Sequence, residues 1–128
     1  MTPDPLALWH HMVETRDLSG IEDLLAEDAV FQSPVLHQPQ AGRALTAKYL
    51  RAAMVVLNND TFRYVGEWRA ERSAVLEFTL SLGPIAVNGV DIIHWNEAGH
   101  ITLFKVMMRP LKALNTVIPL MAAQLARD

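Results

Sequence analysis

The chain has no cysteine, few aromatic residues (7%) and only 20% charged residues in 128 positions, and each shortage excludes something. Without cysteine there is no disulfide framework, no thiol nucleophile and no thiolate metal ligand, which fits a reducing compartment. Positive charge is not in excess: 11 Lys and Arg against 14 Asp and Glu leave a net charge of −3, so no basic face is offered to nucleic acid. Long apolar runs are also missing. The N-terminal MTPDPLALWHHMVE lacks the basic start and apolar core of an export signal, and Pro110 and Pro119 interrupt the apolar C-terminal segment, so no membrane-spanning helix is expected. A cytoplasmic location is the resulting expectation. What the chain does have is a hydrophobic content of 51%, enough to close one core in a single domain over residues 1–128, with no repeat, linker or low-complexity tract.

The first half has helical period. Asp4 is a candidate N-cap with Pro5 at the first helical position, and Leu6, Trp9, Met12 and Val13 follow at helical spacing, so residues 5–16 read as an amphipathic helix. Ser19 and Glu22 form a capping-box pattern ahead of a short second helix carrying Leu24 and Leu25. A short strand over Ala29–Gln32, a loop SPVLHQPQAGR and a third helix from Arg43 to Leu57 complete this half. The second half has strand period. Thr61–Arg69, Ser73–Leu82, Ile85–Trp95 and His100–Arg109 are rich in β-branched and aromatic residues and are separated by tight turns, which predicts an antiparallel meander. Leu111–Ala126 returns to helix, with Pro119 expected to kink or restart it. Helices followed by a meander imply an α+β domain with helices covering one face of the sheet.

One residue does not suit its place. Within GVDIIHWNEAGHI, side chains alternate so that Asp91, Ile93 and Trp95 share a face, and Asp91 stands where a strand would bury an aliphatic residue. In an apolar interior, desolvation should raise its pKa and leave a neutral carboxyl able to donate a hydrogen bond. No lysine or arginine stands beside it in sequence, although Arg16 at the end of the first helix could reach inward and reverse the shift.

Two longer stretches resemble ketosteroid isomerase. Its pattern GDLxGIxxLFADDAxxxDPV is matched by RDLSGIEDLLAEDAVFQSPV, Arg16 to Val35, and IDHFxFxxxGKV by VDIIHWNEAGHI, Val90 to Ile101. By these motifs and the order of elements the chain is identified as a member of the SnoaL-like group of the nuclear transport factor 2-like (NTF2-like) superfamily. The resemblance implies a cone-shaped α+β fold of three N-terminal helices on a strongly curved antiparallel sheet, plus a C-terminal helix. It also implies a homodimer through the sheet, where Leu103 and Met107 flank Lys105 on the outward face. In ketosteroid isomerase a general-base Asp precedes Pro-Val, a first-helix Tyr donates to the enolate oxygen, and a protonated strand Asp donates beside it. Here the strand Asp is matched by Asp91, the base position by Ser33 and the Tyr position by Trp9. A serine hydroxyl with no adjacent base cannot take an α-proton at neutral pH, so ordinary ketosteroid isomerisation should be very weak. The Asp-Arg-Asp set of related epoxide hydrolases is absent as well, because Gly89 lies two residues before Asp91.

With the family register, Phe104, Val106 and Met108 join Trp9, Met12, Phe78, Leu80, Ile93 and Trp95 around Asp91 in an apolar pocket of the kind that takes a small hydrophobic molecule. Ser33 and His37 would stand at its rim, His37 being a neutral-pH base there. Plainer roles exist for each: Asp91 as a structural acid bonded to Trp9 Nε1–H or a backbone amide, Met12, Met54 and Met108 as core filler, Ser33 as a loop hydroxyl serving the backbone. Histidines at 10, 11, 37, 94 and 100 have no paired ligand spacing, so neither a metal nor any other cofactor is expected. Two function classes stand first, an enzyme moving a proton next to the carbonyl of a steroid- or polyketide-like compound, by isomerisation or cyclisation, and a non-catalytic binder of an apolar ligand; a third is a dimeric interaction module using the outward sheet face around Leu103 and Met107.

Overall fold

The computed structural model describes residues 4–127, so Met1–Pro3 of the N-terminal reading lie outside it. Helix α1 covers Pro5–Thr15: Asp4 accepts the Leu6 amide, Pro5 opens the first turn, and Arg16 closes the helix in the left-handed region (φ 55°), its amide reaching the Met12 and Val13 carbonyls. The expected capping box does not form. The Ser19 amide is held by Asp17 Oδ1 instead, Gly20 precedes the helix, and α2 is a single turn, Ile21–Leu24. Strand β1 runs over Leu25–Gln32, four residues earlier than expected. Its pairing shifts between Leu25 and Val30, and the exposed Glu27–Asp28 pair in that bowed part hides the strand period. The loop after it contains a two-residue strand, β2, Gln40–Ala41. Helix α3 occupies Arg43–Leu57 as expected and stops at Asn58.

The meander follows the sequence reading closely: β3 is Arg63–Arg69, β4 Ser73–Leu82, β5 Ile85–Trp95 and β6 Ile101–Arg109. Its hairpins are antiparallel, but the whole curved, unclosed sheet is mixed, because β1 lies parallel to β6 in the order β2-β1-β6-β5-β4-β3. Helix α4, Leu111–Ala126, runs through Pro119 without a break. No helix among the described residues is long and apolar enough to cross a membrane.

Register decides what meets what. Asp91 lies opposite Leu76 on β4 and Val106 on β6, while Gly89 lies opposite Phe78 and Met108. Alternation then puts Leu76, Phe78 and Leu80 of β4, Asp91, Ile93 and Trp95 of β5, and Phe104 and Val106 of β6 on one buried face. Helices α1 and α3 pack on that face with Leu6, Trp9, Ala47 and Leu50, and α4 adds Ala113 and Val117. Thr46 is fully buried, with Oγ1 donating to the Ala29 carbonyl 3.1 Å away and tying α3 to β1.

Candidate functional site

Asp91 is 6% exposed in the middle of β5, with the rest of its surroundings apolar or aromatic. Tyr64, on β3, donates its hydroxyl to Asp91 Oδ2 at 2.6 Å, and Trp9 Nε1 on α1 donates to the Tyr64 oxygen at 3.0 Å. Trp9 therefore serves the carboxyl through an intermediary and not directly, as the structural-acid reading had it. The Trp9 ring is fixed edge-on to Phe104 at 4.9 Å, and Tyr64 edge-on to Phe62 at 5.0 Å. Burial pushes the Asp91 carboxyl up to about 7, with the Tyr64 hydrogen bond pulling the other way. Burial, and then the neighbouring Asp91 charge, hold the Tyr64 phenol well above its ordinary range, so Tyr64 keeps its proton. Arg16 does not reach inward: it pairs with the exposed Asp60 at 2.8 Å. Among the described residues bordering the carboxyl, none is cationic.

Asp91 borders an inner cavity of about 50 Å³, walled by Trp9, Phe62, Tyr64, Phe78, Phe104 and the α3 residues Leu50, Ala53, Met54 and Leu57. A space of this size holds a water molecule or one end of a ligand. A second, outer cavity of about 220 Å³ lies beneath α4, lined by Phe31, Tyr49, Met108, Val117, Met121 and Leu125 among others. The two share Ala53, Leu57 and Val106 as walls, so they adjoin there.

Of the residues the sequence pointed to, Trp9, Phe78, Phe104, Val106 and Asp91 come together at the inner cavity and Met108 at the outer one. Leu80, Ile93 and Trp95 are on the predicted face but border neither cavity, being covered by the core, and Met12 packs on the core from outside. Ser33 borders the outer cavity, yet its Oγ accepts the Val35 and Leu36 amides at 3.1 and 2.9 Å, the loop role that a serine before proline favours. His37 is exposed and borders neither cavity, so the expected rim base is not at the site. Tyr64 was not foreseen. The signal was present in Phe62 and Tyr64 alternating into β3, but the pairing shift between Tyr64 and Gly66 disrupts the pattern just beyond. The α3 stripe Leu50, Ala53, Met54, Leu57, spaced three and four apart, was equally readable as a pocket wall. No group of three or more metal-ligating side chains meets among the described residues.

Helices laid over the concave face of a curved sheet, enclosing an apolar space with one carboxyl group, define an α+β domain of the NTF2-like fold. The chain belongs to the SnoaL-like domain family, whose model matches residues 6–104. It is similar to a steroid delta-isomerase from Pseudomonas aeruginosa, at 38% identity over 96% of this chain and 90% of that one, with a TM-score of 0.91. An uncharacterised protein with a cystatin-like fold from Silicibacter pomeroyi matches at 33% identity over 97% and 86% of the two chains, TM-score 0.88. An NTF2-like protein of unknown function from Mesorhizobium loti shares the fold at 16% identity over 83% and 88%, TM-score 0.70. No curated protein sequence matches the chain.

Proposed function

We propose that this protein binds a small hydrophobic carbonyl compound, steroid-like in size and polarity, and moves a proton next to the carbonyl through Asp91. The observation that carries the reading is a lone carboxyl at an apolar cavity whose burial puts its pKa at about 7. Near neutral pH such a group is present in both protonation states, the condition under which one residue both takes a proton and gives it back. The ionised carboxylate accepts the α-proton: the C–H bond breaks, an O–H bond forms on the carboxyl, and the electron pair moves into an enolate. Return of that proton to the γ-carbon completes an isomerisation with no net proton change. The inner cavity admits only the reacting end, and the outer cavity beneath α4 receives the apolar body across Ala53, Leu57 and Val106. The 38% identical neighbour named as a steroid delta-isomerase supports the same substrate class.

Ser33 stands at the base position of ketosteroid isomerase and is tied to loop amides, so Asp91 acts with no separate base or enolate donor and turnover of a β,γ-unsaturated 3-ketosteroid should be slow. That same observation favours a second reading, a non-catalytic binder using the same two cavities. The homodimer we propose joins the outward faces of two sheets around Leu103 and the exposed Met107, in a cytoplasmic protein. The deciding experiment follows deuterium exchange at the α-carbon of a bound 3-ketosteroid, alongside its binding by fluorescence. Wild type should bind and exchange, Asp91→Asn should bind without exchange, and Asp91→Leu should do neither. Binding without exchange by the wild type establishes the second reading, and exchange undiminished in Asp91→Asn sinks the first.

A further inference from the structure

Asp91 has two oxygens, and they are not equivalent. Oδ2 takes the Tyr64 hydroxyl at 2.6 Å, and among the described residues Oδ1 has no hydrogen-bond partner. Oδ1 is thus the unpaired oxygen of the carboxyl, and Asp91 forms part of the wall of the inner cavity.

The direction of the relay is fixed by the third member. An indole N–H only donates, so the Trp9 contact at 3.0 Å occupies the acceptor side of the Tyr64 oxygen. The single phenolic hydrogen then points at Oδ2. The reverse arrangement, a proton on Oδ2 donated to Tyr64, would leave the phenolic hydrogen with no acceptor among the hydrogen bonds the Tyr64 oxygen makes, an unsatisfied donor in an apolar setting. A protonated Asp91 therefore carries its proton on Oδ1.

We propose that Tyr64 is the positioning residue of this site: it commits Oδ2 of Asp91, leaving Oδ1 as the one carboxyl oxygen that exchanges a proton with the ligand, and Trp9 acts on the carboxyl only through Tyr64. This rests on Asp91 being the proton-transfer group but is tested apart from it. Among the described residues that face Asp91 from α1, α3, β3, β4 and β6, Tyr64 is the only titratable one and none is charged, so no other group imitates its effect. His10 and Glu67, bonded to each other at 2.8 Å, lie beyond the Tyr64 ring, His10 edge-on to it at 5.4 Å.

The test is a carbon-13 carboxyl titration of Asp91 in wild type, Tyr64→Phe, Trp9→Phe and the double variant, with the pH profile of kcat read in parallel. A hydrogen bond to a charged acceptor favours the ionised form, so Tyr64→Phe should move the midpoint upward by about one pH unit or more. Trp9→Phe should move it upward by less, since it only weakens the donor, and the double variant should match Tyr64→Phe. The acid limb of the kcat profile should follow the titration in each case, with KM little changed. An unchanged midpoint in Tyr64→Phe, or a double variant displaced well beyond it, overturns the relay. Because the titration needs no turnover, a failed relay and a non-catalytic Asp91 give different results: the first leaves exchange dependent on Asp91, the second leaves the midpoint shifts intact.

Discussion

Replacing Asp91 by Asn should stabilise the protein relative to the parent by an amount that grows as pH rises from about 4 to about 7 and then levels off. The carboxyl titrates near 3.8 when unfolded and at about 7 when folded, its burial disfavouring charge. Between those values the folded state holds a proton that the unfolded state has released, so stability falls as pH rises. The contribution is fully present below pH 3.8, declines across the interval and is lost above about 7. At about 1.4 kcal/mol per pH unit, the displacement corresponds to roughly 4 kcal/mol, an upper bound because water entering the cavity would relieve part of the burial. Asn keeps the size and still accepts the Tyr64 hydroxyl but does not ionise. Urea unfolding at pH 4, 5, 6, 7 and 8 measures the difference: relative to pH 4, Asn should gain about 1 kcal/mol on the parent by pH 5 and about 2–4 kcal/mol by pH 8. The carboxylates of Asp4 and Glu67, held low mainly by Arg69, act in the opposite sense and only at lower pH, so they do not blur this interval. Parallel curves from pH 5 to 8 would show that Asp91 does not titrate there and would remove the basis for its proton-transfer role.

Gly89→Ala should destabilise by about 1–3 kcal/mol, because an added Cβ would come within 2.5 Å of the Met107 carbonyl oxygen and of Phe78 Cζ. Phe78 would have to turn toward the inner cavity, so ligand affinity should drop with stability; a variant as stable as the parent in urea would contradict the geometry. Met107→Glu places a charge on the exposed sheet face and should convert a dimer to a monomer in sedimentation at micromolar concentration. A wild type that is monomeric throughout that range would discard the sheet dimer.

How much of this was legible depended on whether one local pattern was enough. The meander was, because β4 and β5 alternate without interruption and their turns carry Gly83 and Gly99 at positive φ, a conformation that glycine tolerates. Asp91 was legible for the same reason, as a polar residue in an otherwise apolar register. Strand β1 was shortened in the reading because its two acids interrupt the period, and the Ser19 cap was lost to a competing turn around Asp17 that sequence spacing does not rank. Tyr64 and the outer cavity are of another kind. They arise where β3, α1, α3 and α4 meet, and no single segment encodes which of several inward side chains will be adjacent. Ile93 and Trp95 illustrate the converse: sharing a face with Asp91 was correct, yet the face is longer than the cavity.

The parallel join between β1 and β6 also governs the order in which the molecule can assemble. Leu25 pairs with Ile101 and Phe31 with Phe104, so the strand that precedes α3 has only the two-residue β2 beside it until nearly all of these residues have been synthesised. The β4–β5 and β5–β6 hairpins close over short loops, whereas β1 closes over most of the polypeptide, the slow class of contact. During translation α1 and α3, which wall the inner cavity, are therefore made well before the strands they cover, and in that interval Leu25, Ala29 and Phe31, all buried in the finished protein, stand open to solvent and to other chains.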